Sequence, residues 1–142
     1  MGRVKKPKSI QSFIMPHLRR ASRYWPPKSE ARKRALRKIE IGKFKNGRPK
    51  FEDRYECAAC KNLFPRELTQ MDHIIEVASL TGFDSWDATI GRMFPDADGY
   101  QCLCNECHSK KSQGNQKIRR ESKKTAPSWE KSLKKAKKML TK

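Results

Sequence analysis

Four of the five cysteines stand in two pairs, Cys57-Ala58-Ala59-Cys60 and Cys104-Asn105-Glu106-Cys107. In a C-x-x-C segment the two middle residues turn the backbone on itself, so both sulfurs reach one metal ion. Two such pairs complete the tetrahedral four-thiolate shell of structural zinc. A disulfide or two separate redox motifs would use the same residues. Disulfides are disfavoured because no stretch reads as a secretory signal: the basic start leads into residues 10–18, which Gln11, Ser12, Pro16 and His17 interrupt. The pairs lie 43 residues apart, farther than in a zinc ribbon, so a folded segment must sit between them. Cys102 is left over and alternates with Leu103 in a short apolar stretch, as a core thiol does.

Asp72-His73 falls between the pairs, and His108 follows the second pair directly, with Lys111 three residues on. A metal that pins the second pair fixes His108 in the first turn of the following helix. Asp72 and His108 can then share a hard divalent cation, with His73 on the opposite face of its strand. Lys111 adds a positive charge for a phosphate.

The elements that must position these groups are few. Hydrophobic residues make up 35% of the 142 residues, too few for one core built from the whole chain, and no apolar run is long enough to span a membrane. The net charge of +19 is uneven. Residues 1–50 carry +15, residues 51–108 carry −7 and residues 109–142 carry +11. An acidic centre holding all the cysteines thus lies between two basic arms. The centre has 58 residues, a size at which burial barely offsets chain entropy and a structural metal is a common remedy.

The pattern is that of an α+β protein. A turn at residues 62–65 follows the first pair, and residues 67–77 (ELTQMDHIIEV) have strand composition. Trp86, Ile90, Met93 and Phe94 predict a helix over 85–94, capped by Ser85 or Asp84. Residues 100–104 predict a second strand, and residues 105–116 a helix opening inside the second pair. The division is a basic arm at 1–50 with a helix at 29–41 and a linker at 42–49, a core at 51–116, and a basic tail at 117–142. In the tail, Trp129, Leu133, Ala136 and Leu140 predict a helix over 128–140.

Taken together, YECAACKNLF, MDHIIEV and YQCLCNECHSKKS resemble the zinc-containing form of the HNH (ββα-metal, His-Me finger) endonuclease family. TGFDSWDATIGRMF resembles an insert of small free-standing bacteriophage HNH and homing endonucleases, and LRRASRYWPPKSEARKRA the basic segment before their nuclease. The likeness spans about residues 18–112. It implies a treble-clef-like ββα-metal core in which Cys57, Cys60, Cys104 and Cys107 hold structural Zn²⁺. It implies His73 as general base, and Asp72 and His108 as ligands of a catalytic Mg²⁺ or other divalent ion. The family's middle Asn is missing: Gly99 stands at its position. Asp98 or a backbone carbonyl of the same loop is the candidate to orient His73 in its place; if neither serves, a slow nuclease or a DNA binder without catalysis is expected. The expected activity is hydrolysis of a DNA phosphodiester, leaving a 3′-hydroxyl and a 5′-phosphate, in the cytoplasm of a phage's host rather than outside the cell.

The arms point to the same partner, double-stranded DNA and not a membrane. The acidic centre alone repels phosphates, so the arms must attract them, and Arg19, Arg20 and Arg23 stand beside Tyr24 and Trp25. Arg19, Arg20, Arg23, Trp25, Arg32, Arg34 and Lys111 are the expected DNA contacts. A non-catalytic zinc-dependent nucleic-acid-binding protein is the rival reading, with Gly99 as its sign. A basic ribosome-associated zinc protein is a third, which leaves Asp72-His73 unexplained.

Overall fold

A computed structural model describes residues 9–125. Among these, four α-helices and two small antiparallel sheets form an α+β fold. Helix α1 (Ile10–Ser22) starts at a capping box in which the Ser9 and Ser12 hydroxyls each accept the other's backbone N–H. Helix α2 (Pro26–Ala35) opens on two prolines, whose missing N–H groups cost nothing in a first turn.

The chain then departs from the expected helix over 29–41. Helix α2 ends at Ala35, and Leu36–Lys43 is strand β1, paired antiparallel with β2 (Pro49–Glu56). The expected linker at 42–49 is the hairpin turn. Asn46-Gly47 supplies it, with Gly47 at φ +78° and the Phe44 N–H donating to the Arg48 carbonyl at 2.8 Å. Pairing with β2 outweighs the helical spacing of Ala31, Ala35, Leu36 and Ile39, as tertiary context often outweighs local propensity. The two-residue strand β3 (Leu63–Phe64) completes the first sheet in the order β1-β2-β3.

The second sheet pairs β4 (Thr69–His73) with β5 (Tyr100–Cys104). Strand β4 is shorter than the expected 67–77, because a 3-10 turn at Arg66–Leu68 precedes it and Ile74 leaves the ladder. Between β4 and β5 lies α3 (Trp86–Met93); Ser85, not Asp84, is its cap, accepting the Ala88 N–H at 3.1 Å. Asp84 instead forms a two-point ion pair with Arg92, whose Nε donates to the Val77 carbonyl at 3.0 Å. Helix α4 (Asn105–Thr125) opens at the second cysteine pair and runs past the expected end at 116. The tail helix expected at 128–140 lies outside the described residues.

Two small buried clusters hold the fold. One joins Ala31, Ala97 and Tyr100, with Trp25 and Met71 packed against them. The other joins Cys57, Leu103 and Cys104, with Phe64 and Cys107. Helix α2 lies on β5, so residues 26–35 pack as part of the core, and the expected boundary at 50/51 falls inside the β1–β2 hairpin.

Candidate functional site

The two sheets converge at the cysteines. Cys57 ends the hairpin sheet and is fully buried, and Lys61, at φ +62°, turns the chain so that its N–H reaches the Cys57 carbonyl at 2.9 Å. The Ala58 N–H donates to the Cys102 carbonyl at 2.8 Å, tying this turn to β5. Cys104 closes β5, and Cys107 lies in the first turn of α4. The ligand atoms of Cys57, Cys60, Cys104 and Cys107 all lie within 4.8 Å of one another, with the Cys60 and Cys104 sulfurs 4.0 Å apart. Tetrahedral zinc with bonds near 2.3 Å sets sulfurs about 3.8 Å apart. The four residues therefore fit a structural zinc site.

Their acidities fit as well. Burial pushes the Cys57 thiol up, but backbone N–H groups of Cys104, Cys60 and Ala59 outweigh it and draw the thiol down to about 6. Hydrogen bonding with Cys104, with burial next, pushes Cys107 up to about 12. One sulfur is poised as thiolate, as a metal ligand must be. Cys102 is buried in β5 outside this group, and burial raises its thiol.

The β4–β5 register sets Asp72 opposite Gln101 and His73 opposite Tyr100. Successive strand residues point to opposite faces. The His73 ring tilts against Tyr100, with centroids 4.8 Å apart, and Nε2 lies 3.1 Å from the carbonyl of Met93 at the end of α3. A carbonyl only accepts, so Nε2 is the donor of this bond, and in the neutral tautomer that makes it, Nδ1 holds the lone pair.

Asp98 does not have the expected place at the imidazole. Its side chain is 90% exposed and accepts from Arg34 at 2.5 Å, because the 3-10 turn at Ala97–Gly99 aims it outward. The orienting group is the Met93 carbonyl, just before the loop. Gly99 has a packing reason: a Cβ there would stand 2.8 Å from Pro95 Cγ and closer still to its Cβ. Its carbonyl accepts the Ile74 N–H at 2.9 Å.

On the other face of β4, Asp72 Oδ1 lies 3.9 Å from His108 Nε2. Asp72 Oδ2 accepts from Gln101 Nε2 at 3.0 Å and from Lys111 Nζ at 2.5 Å. Lys111, the expected phosphate contact, uses its charge within the protein. Its ammonium also donates to the carbonyls of His73 at 2.6 Å and Ile74 at 3.4 Å, and lies 3.2 Å from Glu76. The i, i+3 spacing of His108 and Lys111 shows they share a helix face, but only the fold shows what that face meets.

Of the other expected DNA contacts, Trp25 is turned inward. Its indole N–H donates to the Pro95 carbonyl at 2.7 Å, and its ring meets Phe94 edge-on. Arg34 is taken up by Glu30 and Asp98. Arg19, Arg20 and Arg23 are exposed near the end of α1. Arg23 and Arg32, with Lys28, line a cavity of about 290 Å³ beside Tyr24 and Trp25. Burial, then Arg32 and Arg23, lower the Lys28 pKa, and none of the three is in an ion pair among the described residues.

The fold and site thus define a small α+β protein with a four-cysteine cluster that can hold a metal ion, beside a histidine-bearing strand pair. No protein-family model matches the chain, and no characterised protein or solved structure matches it significantly. No helix among the described residues is long and apolar enough to cross a membrane.

Proposed function

We propose that the protein is a metal-dependent DNA endonuclease of the HNH type, with β4, β5 and α4 as its ββα-metal core. The observation that carries this reading is the arrangement around β4: His73 has one nitrogen fixed by a carbonyl, and Asp72 lies 3.9 Å from His108 of α4. Adjacent ligands of an octahedral ion bonded at about 2.1 Å stand about 3.0 Å apart, so the 3.9 Å pair must draw together to hold one ion.

His73 Nδ1 takes a proton from water as it attacks phosphorus, and the Met93 carbonyl holds the ring against rotation meanwhile. Tyr100 backs the ring from β5. Asp72 and His108 would hold a divalent ion such as Mg²⁺, whose charge stabilises the extra negative charge on the phosphate and the leaving oxygen. Lys111 anchors both β4 residues by bonding the Asp72 carboxylate and the His73 carbonyl. The four cysteines fix the start of α4, and with it His108. Phosphates are held by Arg23, Lys28 and Arg32, which are unpaired among the described residues, and by Arg19 and Arg20. The resemblance to phage proteins extends the reading to action in a bacterial host's cytoplasm.

A non-catalytic zinc-dependent DNA binder is the alternative, favoured by one observation: the Lys111 ammonium bonds the Asp72 carboxylate, and a divalent ion has to compete with it there. Plasmid nicking at low salt, with and without Mg²⁺, separates the two. The nuclease reading expects Mg²⁺-dependent nicking that His73→Ala abolishes while fold and DNA affinity persist. Undiminished nicking by that variant removes His73 from the mechanism, and no nicking by wild type favours the binder.

A further inference from the structure

The β1–β2 hairpin has no assigned role, and its outer half packs against nothing among the described residues. Residues 40–51 are exposed without a break, including Ile41 at 49%, Phe44 at 53% and Phe51 at 55%. A two-stranded ribbon with neither face covered is marginal in water, so its apolar side chains point to a partner.

Charge along the ribbon indicates which. Near the body it is self-compensated: Arg37 pairs with Glu56 at 3.0 Å and Arg54 with Glu52 at 2.8 Å. Between Glu40 and Glu52 the sequence has no acid but has Lys43, Lys45, Arg48 and Lys50, none in an ion pair among the described residues. The turn carrying them is built rather than loose. The Phe44 N–H donates to Arg48, Gly47 to Phe44, and the Asn46 side chain accepts from the Arg48 N–H at 3.1 Å. A register shift between Glu40 and Gly42 adds a bulge, which increases the local twist.

We propose that the outer half of the β1–β2 hairpin docks in the major groove of duplex DNA. Two strands about 4.8 Å apart, with their side chains, fit a groove about 12 Å wide, which admits a two-stranded β-ribbon. Lys43, Lys45, Arg48 and Lys50 meet the phosphates along its walls, while Phe44 lies against base edges. A second copy of the chain is disfavoured as occupant, because its ribbon repeats the same positive charge. The inference rests on the nuclease reading only in taking DNA as the partner, and its test reads binding rather than cleavage.

Binding of the zinc-loaded full chain to a mixed-sequence 30-base-pair duplex is measured across a salt series. Replacing all four cations by Gln should flatten the slope of log K against log salt by about 0.9 for each phosphate no longer neutralised. The pair Lys45→Gln/Arg48→Gln alters only side chains that make no bond to the ladder, so it covers the case in which the fourfold variant misfolds. Wild type should also bind at least tenfold more weakly to a duplex whose cytosines carry glucosylated 5-hydroxymethyl groups, which fill the major groove and leave the phosphates untouched. The pair variant should lose part of that discrimination. An unchanged slope in the pair variant, equal affinity for the blocked duplex, or a dimer that the pair variant dissociates would each overturn the proposal. Mg²⁺-dependent plasmid nicking by the wild type is read in parallel: a failed nuclease reading removes the nicking and leaves the slope and discrimination intact, whereas a failed docking surface does the reverse.

Discussion

The ammonium of Lys111 touches two carboxylates and two carbonyls, at Asp72, His73, Ile74 and Glu76. Asp72 and Lys111 are mostly shielded, with 14% and 24% of their side chains exposed, so their bond is not a surface pair that salt screens away. Lys111→Met should therefore cost on the order of 2 kcal/mol, the scale of hydrogen bonds to charged groups, read from urea unfolding of the zinc-loaded protein. Lys111→Arg should not restore it, since a planar fork cannot replace a compact ammonium among four oxygens. A loss below about 0.5 kcal/mol would show that Asp72 is held by Gln101 and His108 alone. The residue types of the site are legible in sequence because Cys, His and Asp carry their chemistry in any context. The direction in which Lys111 and Asp98 spend their charge is not, since it depends on residues roughly 35 to 65 positions away.

At the scale of elements, local signals serve where they are short-range and fail where a distant partner decides. Ser85 and the apolar spacing behind it specify α3 from within, and the 100–104 strand has an alternating apolar pattern of its own. Leu36 to Ile41 fit a helical stripe as well as a strand, and β2 settles the matter. The signal that identifies the hairpin, Asn46-Gly47 between two mixed runs, lies inside a segment whose basic composition reads as a linker. The joint between α3 and β5 is more constrained than its polar sequence suggests, since it places the Met93 carbonyl at His73 and leaves Gly99 no room for a Cβ. Gly99→Asn, which restores the residue type of the HNH pattern, should therefore fail to improve cleavage and should destabilise the protein by about 1–3 kcal/mol through overpacking against Pro95. Thermal unfolding of the zinc-loaded variant checks this; an unchanged midpoint would mean that the 95–99 turn can open without cost.

The whole molecule buries little: among the described residues the large, fully buried side chains are Met93, Thr89 and Cys57. Cys57 belongs both to a core cluster and to the metal site, so core and metal stand or fall together. Structural zinc contributes on the order of 10 kcal/mol of apparent free energy. Chelation should accordingly abolish the near-UV dichroism of the core; a metal-free protein that keeps that signal would remove zinc from the folding account. Acid should act in the same direction. Protons compete with the metal for sulfur, so zinc affinity falls as pH drops. The fall steepens below about 6, where the Cys57 thiolate is itself protonated, whereas Cys107, at about 12, gives up its proton to the metal at any neutral pH. Zinc release followed with a coloured chelator from pH 8 to pH 5 should show this trend, and pH-independent release would contradict it.

The long interval between the cysteine pairs has a consequence in time. A ribosome adding about 5–20 residues per second makes Cys104 some 2–9 s after Cys60. Throughout that interval the nascent chain carries half a metal site, two thiols with no tetrahedral shell to close. The second pair and His108 are synthesised as one short stretch, so the event that locks the metal centre also delivers the imidazole that faces Asp72. A chain interrupted before that stretch has His73 but neither the completed metal centre nor His108.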